Sequence, residues 1–251
     1  MKISRLPSGA LGVMAAVALL AGCCGGGGQP SSLFAPSSGQ GLTSGGRGLG
    51  PMGHHHLVTY TSVRAPKVKP DHHKSWVSPD VKRARRLLFV SDAAYEDVFI
   101  FTLPAMQLKG TLTGFNGPQC LCSDQQGNIW IVATGAYQAL KYSRAGQFLG
   151  SVTDPSGYPA GCAVNPTNGD LALSDLTGFS GAGGIEVYHN GSGSPTRYSN
   201  PSQYEYFFPA YDTDGNLYVD GFTYPSFAVM ISALPSGSGT MHTVKYSGGT
   251  I

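Results

Sequence analysis

The sequence predicts an all-β chain built from repeated blades of four antiparallel strands, about four of them. Three observations carry that prediction. A turn motif recurs as Asp124-Gln-Gln-Gly127-Asn128, Asn165-Pro-Thr-Asn-Gly169-Asp170 and Asp212-Thr-Asp-Gly215-Asn216, with its glycines 42 and 46 residues apart. Each copy runs into an apolar stretch, Ile129-Trp-Ile131, Leu171-Ala-Leu173 and Leu217-Tyr-Val219. The composition agrees, with 36 Gly and 17 Pro in 251 residues, 10% aromatic and only 12% charged, which favours strands and tight turns over charge-laced helices.

The chain opens on an address rather than a domain. Lys2 and Arg5 precede an apolar run, Ala10–Leu20, of eleven residues. A permanent membrane helix needs about 20, so residues 1–22 read as a secretory signal. Its end, Leu20-Ala-Gly-Cys23, has the form of a bacterial lipobox, with Cys23 as the residue that takes the lipid. Two or three acyl chains, at about 0.8 kcal/mol per buried CH₂, would hold the protein stably to a membrane. Residue 24 is Cys rather than Asp, which points to the outer membrane or cell surface. The expected location is therefore the cell envelope.

Residues 23–56 read as a flexible tether. From 24 to 56 there are eleven Gly, five Ser and three Pro without apolar periodicity, too little burial to offset ordering. As a Gly/Ser coil it would reach roughly 30 Å. Residues 57–86 form a basic lead-in. Between 64 and 86 eight Lys and Arg face Asp71 and Asp80, a balance of +6. This stretch is either a collar drawn to anionic lipid or cell-wall polymer or a solvated lead-in. His54–His56 and His72-His73 lie in unpatterned polar chain, which argues against a metal site there.

Residues 87–251 hold the blades and carry a balance of −7. The total of +2 thus hides a dipolar chain, and no nucleic-acid partner is expected. A degenerate first copy, Leu88-Phe-Val-Ser-Asp92, precedes its equivalent at Ala133 by 41 residues. Second strands end in aromatics, as in Val98–Phe101, Ala139–Tyr142, Ile185–Tyr188 and, less clearly, Phe227–Met230. Third strands are more polar, as in Gly110–Thr113, Phe148–Thr153 and Met241–Lys245. Pro118-Gln-Cys-Leu-Cys, Pro159-Ala-Gly-Cys-Ala and Phe208-Pro209 read as loops leading into the next copy. Four short strands per 40–45 residues is the signature of a β-propeller.

The Pro-x-x-x-x…Asp-x-x-Gly-Asn-Leu-Tyr-Val pattern over residues 87–251 resembles the NHL-repeat family and the wider regucalcin/gluconolactonase-like propellers. The whole layout is similar to bacterial propeller lipoproteins. That resemblance implies six blades, whereas 165 residues at about 42 each make four, so the chain is expected to lack about two. It also implies a metal in a central channel, held by Asn and Asp on the proline loops. Here those positions are Gln119, a poor ligand for a hard metal, and Ala160, which cannot ligate. No cofactor, metal or catalytic residue is therefore expected, and a binding or scaffold function outweighs a diverged metal-dependent lactonase. No nucleophile elbow, metal-binding helix or phosphate loop occurs.

Asp92, Asp175 and Asp220, with Tyr95, Tyr137, Tyr158 and Tyr204, are candidates to line one face. Carboxylates there would accept hydrogen bonds from a glycan, peptide or protein ligand, and rings would stack on it. The competing expectation is that Asp caps blade turns and Tyr fills seams between blades. An exported chain favours disulfides, and Cys122 with Cys162, one position out of step in consecutive repeats, is the expected pair.

Overall fold

The computed structural model describes residues 74–245. The signal, Cys23, the tether, the histidine runs and the lead-in up to residue 73 lie outside the described residues, as do residues 246–251.

Four four-stranded antiparallel sheets follow one another along the chain. The second blade is β5 (Pro118–Ser123), β6 (Ile129–Ala133), β7 (Gln138–Tyr142) and β8 (Phe148–Thr153), hydrogen-bonded in that order. The third is β9 (Gly157–Val164), β10 (Leu171–Gly178), β11 (Gly181–Tyr188) and β12 (Thr196–Tyr198). The fourth is β13 (Glu205–Tyr211), β14 (Leu217–Phe222), β15 (Val229–Leu234) and β16 (His242–Thr243). The first blade differs, because β2 (Leu87–Asp92), β3 (Asp97–Thr102) and β4 (Leu108–Thr113) are joined on the outer side of β4 by β1 (Trp76–Val77). Glu96, Tyr137 and Phe227 share a left-handed backbone at φ 60°, 52° and 51°. Glu96 and Tyr137 also accept matching crossover bonds, from Phe115 N at 3.1 Å and Asp154 N at 2.8 Å. Strands β2–β4 are thus equivalent to β6–β8, which matches the 41-residue offset read from Asp92 to Ala133.

Three expectations are corrected. Blade structure begins before residue 87, since Trp76–Val77 form β1 and Val81 is buried in a short helical turn that follows. The proline segments are not loops but the inner strands β5, β9 and β13. Proline donates no ladder bond and is tolerated at a bulge, and each proline sits beside a register shift of its strand. Phe227 belongs to a turn, so the strand expected at 227–230 starts at Val229.

The repeated turn motif works through its acidic residue. Asp124 Oδ1 accepts from Gln126 N (3.0 Å) and Asn128 N (2.8 Å), and Asn128 Nδ2 donates to Oδ2 (2.8 Å). Asp212 repeats this with Asp214 N and Asn216. Gly127 and Gly215 take the left-handed conformation, φ 77° and 83°, which glycine adopts without steric cost.

Apolar side chains lie in the seams between blades. Val98, Ile100 and Leu112 meet Ile129 and Ile131 between the first and second. Trp130 and Val132 meet Leu171, Leu173 and Tyr188 between the second and third. Ala172, Ile185 and Val187 meet Tyr206, Leu217 and Val219 between the third and fourth. Alternate residues of one strand therefore face opposite neighbours, so strands buried on both faces read as continuous apolar runs. The third and fourth blades approach closely at Gly161, where a Cβ would strike the Phe207 carbonyl oxygen and lie 2.7 Å from Pro209 Cδ and from Ser174 Oγ. Gly161→Ala is expected to cost about 1–3 kcal/mol through overpacking, read by urea unfolding. An unchanged midpoint would show that the seam can open. Among the described residues no helix is long and apolar enough to cross a membrane.

Candidate functional site

Two features stand out, an aromatic rim and a buried acidic cluster. The register places Pro118 opposite Ala133 and Gln138 opposite Thr153. The β6–β7 turn and the crossover into the next inner strand therefore share one rim, and the other blades repeat this. Tyr137, Tyr158 and Phe179 form an edge-to-face triad there, with centroids 5.2–5.4 Å apart. Farther along, Tyr224 packs on Tyr204 at 5.1 Å and on Phe227 at 6.0 Å. Phe179 is 53% exposed, Tyr224 64% and Tyr95 60%. Large aromatics usually bury their area, so this concentration on one rim is a surface of unusual apolar content.

The candidate acids divide. Asp92 caps its own turn, accepting from Ala94 N (3.0 Å) and Tyr95 N (3.2 Å). Asp220 Oδ1 accepts from Phe208 N at 2.8 Å, and burial pushes its carboxyl up. Asp175 does not lie on an open face. It is fully buried in the seam toward the second blade, because Asp175 and Leu173 share the face of β10 that packs there. Tyr95, Tyr137 and Tyr158 are exposed and Tyr204 is half-buried, so the rim is made by rings more than by carboxylates.

Asp175 instead joins Asp154, Glu186 and Arg197. Arg197 Nη1 donates to Asp175 Oδ2 (2.5 Å) and to Glu186 Oε1 (2.7 Å). It reaches both by lying across Gly184, where a Cβ would stand 2.9 Å from the guanidinium. Asp154, in the crossover after β8, accepts at Oδ1 from Ser156 N (2.8 Å) and Gly157 N (3.2 Å). All three acids are buried and their ligand atoms fall within 4.8 Å of one another. Burial pushes the Asp175 carboxyl far up, the hydrogen bond and charge of Asp154 push the same way, and Arg197 opposes them. Tyr188, beneath the cluster, donates to Thr153 O at 2.9 Å. A cleft of about 550 Å³ opens beside it, lined by Thr153, Ser156, Glu186 and Arg197. On the side of the Asp-x-x-Gly turns, a second cleft of about 340 Å³ is lined by Asp124, Lys141 and Asn165, with Lys141 Nζ 2.9 Å from Asp124 Oδ2.

The sequence reading missed Asp154, Glu186 and Arg197. Register could have found them: Glu186 pairs Leu173 as Leu140 pairs Ile131 and Ser232 pairs Val219, so an acid stands where the equivalent strands carry Leu and Ser. Gln119 and Ala160, the positions where the resemblance read from the sequence implies metal ligands, sit at the strand bulges.

No protein-family model matches the sequence, and no curated protein matches it. Solved structures do. A streptogramin B lyase is 19% identical, with 62% of this chain and 50% of that one covered and a TM-score of 0.51. Hydrazine synthase from Kuenenia stuttgartiensis is 16% identical, covering 72% and 52%, with a TM-score of 0.54. Virginiamycin B lyase from Staphylococcus aureus is 14% identical, covering 68% and 54%, with a TM-score of 0.53. The chain spans about half the length of the solved chains it matches. At these identities the likeness shows the fold alone, and that fold is the β-propeller.

Proposed function

We propose that this protein is a binding module of the bacterial cell envelope, anchored by lipid at Cys23 and presenting its aromatic rim to a glycan. The observation that carries the reading is the exposed Tyr137–Tyr158–Phe179 triad. Three rings held edge to face offer apolar faces to a sugar ring, and Tyr hydroxyls at their edges suit its hydroxyl groups. The lipobox, Leu20–Cys23, and the glycine-rich tether support the anchor, and the basic stretch 64–86 would add attraction to anionic lipid or wall polymer. Hydrolysis in the manner of a metal-dependent lactonase is the weaker reading, since Ala160 offers no ligand atom where the related propellers would use one.

The test is binding of the detergent-solubilised full chain to an array of bacterial and plant polysaccharides. The double variant Tyr137→Ala/Phe179→Ala should weaken binding about tenfold, because the apolar area that two ring faces bury on a sugar, at about 25 cal/mol per Å², need contribute only about 1.4 kcal/mol for a factor of ten. Glycan binding that is absent, or that survives the double variant unchanged, overturns the reading.

A further inference from the structure

We propose that Asp154, Asp175 and Glu186 form a binding site for a hard divalent cation of calcium type, entered from the cleft beside Arg197. Ionised together, the three carboxylates would set three negative charges against the single positive charge of Arg197 in one seam. Asp154 Oδ2 and Asp175 Oδ1 are both sealed from solvent, and neither is reached by a backbone or side-chain N–H or hydroxyl donor among the described residues. Oxygens in that position lose their hydration without compensation. A divalent ion among the three acids would balance the two remaining charges and satisfy both oxygens at once.

Blade repetition supplies an internal comparison. In the crossover to the fourth blade, Asn200 occupies the place of Asp154, and its Oδ1 accepts from Ser202 N at 3.0 Å as Asp154 accepts from Ser156 N. Ser232 stands where Glu186 does and Thr243 where Arg197 does, by the same pairing of strands. Asn200 Nδ2 donates to Ser232 Oγ (2.9 Å) and Thr243 Oγ1 (2.8 Å), and Ser232 Oγ donates to Gln203 Oε1 (2.5 Å). That neutral network closes the seam with none of its buried side-chain atoms left unpaired. Joining two blades therefore needs no charge, and the three carboxylates go beyond what the seam requires.

Donor chemistry and spacing select the ion. An all-oxygen set of carboxylates suits Ca²⁺, Mg²⁺ or Mn²⁺ and disfavours metals that prefer nitrogen or sulfur. Calcium binds oxygen at about 2.3–2.6 Å, so ligands on opposite sides of it stand about 4.6–5.2 Å apart, whereas magnesium at about 2.0–2.1 Å needs a tighter set. The three ligand atoms all lie within 4.8 Å of one another, inside the span of a calcium shell, and magnesium gives up its waters reluctantly to an all-protein set. The cleft, with room for several waters, would complete a shell of six to eight oxygens.

The experiment is calorimetric titration of the chelator-stripped full chain with CaCl₂ and, separately, MgCl₂, followed by thermal melting in each. Saturable one-to-one calcium binding with a rise in Tm is expected, and magnesium should bind at least tenfold more weakly. Asp154→Asn keeps the Oδ1 acceptor for Ser156 N while removing the charge. It should remain folded by circular dichroism and lose at least tenfold in calcium affinity. Absence of calcium binding at millimolar concentration in the wild-type chain overturns the proposal, leaving the facing carboxyls to share a proton. Calcium binding by Asp154→Asn equal to wild type overturns it too.

Discussion

Arg197→Ala, measured in chelator, is expected to lower the unfolding free energy by about 3 kcal/mol. Removing one partner of a buried ion pair costs about 3–5 kcal/mol because the surviving charge has lost both water and partner. Arg197 is itself 32% exposed at the cleft while Asp175 and Glu186 are almost completely buried, so the lower end applies: its removal lets water from the cleft toward the two stranded acids. Most of the cost belongs to the stranded carboxylates. The cost of the change should therefore shrink when one acid is removed with it. Arg197→Ala/Asp175→Asn should recover about 1 kcal/mol over Arg197→Ala alone, a non-additivity that a double-mutant cycle measures directly. If the double variant is less stable than Arg197→Ala by the full cost of Asp175→Asn alone, the two residues are uncoupled and the ion pair contributes packing only. Arg197→Lys should not restore the wild-type value, because one ammonium does not reproduce the planar fork that holds the guanidinium over Gly184 between two acids.

The residues of this cluster show which parts of the structure could be read from sequence. Asp124, Gly127 and Asn128 announce their hairpin because the whole interaction lies within five residues, and its recurrence at Asp212 repeats the same bonds. The apolar runs at 129–131, 171–173 and 217–219 announce strands, whereas which seam each side chain enters follows only from the packed blades. Pro118, Pro159 and Pro209 misled because proline signals a loop by its lost donor, and only the partner strand reveals the bulge that accommodates it. Asp154, Asp175, Glu186 and Arg197 come from a crossover and three strands spread over 44 residues of sequence. No local pattern brings them together, because Asp175, Glu186 and Arg197 follow the ordinary alternation of their strands and Asp154 lies in a crossover. The register that brings them together is fixed by the packing of whole blades. The same holds for the aromatic rim, where Tyr137 and Phe179 stand 42 positions apart and meet because they occupy corresponding turns of adjacent blades.

Breaking the Cys122–Cys162 disulfide is expected to cost about 4 kcal/mol. The two residues lie 40 apart, with Cα atoms separated by 5.8 Å, and closing a loop of that length in the unfolded chain removes about that much free energy at 25 °C in the chain-entropy account. The bond also joins neighbouring inner strands, β5 and β9, so it ties the second blade to the third. Its geometry resolves the one-position offset between consecutive copies. Equivalent residues of successive blades point the same way around the propeller, so two that face each other across a seam must sit on opposite faces of their strands. Side chains alternate from face to face with every residue. Cys122 pairs with Trp130, which faces forward to the third blade, and Cys162 pairs with Leu173, which faces back to the second. An even offset would have aimed them apart. Cys122→Ala/Cys162→Ala should therefore unfold at markedly lower urea than wild type, while Cys120→Ala serves as the comparison with the bridge intact. Burial pushes the Cys120 thiol up, so it should resist alkylation until the chain unfolds. Peptide mapping of the unreduced protein should recover 122 and 162 linked. Recovery of both as free thiols, or a stability loss below about 1 kcal/mol in the double variant, would show that the seam packing between Trp130, Leu171 and Leu173 holds the two blades together without the bond.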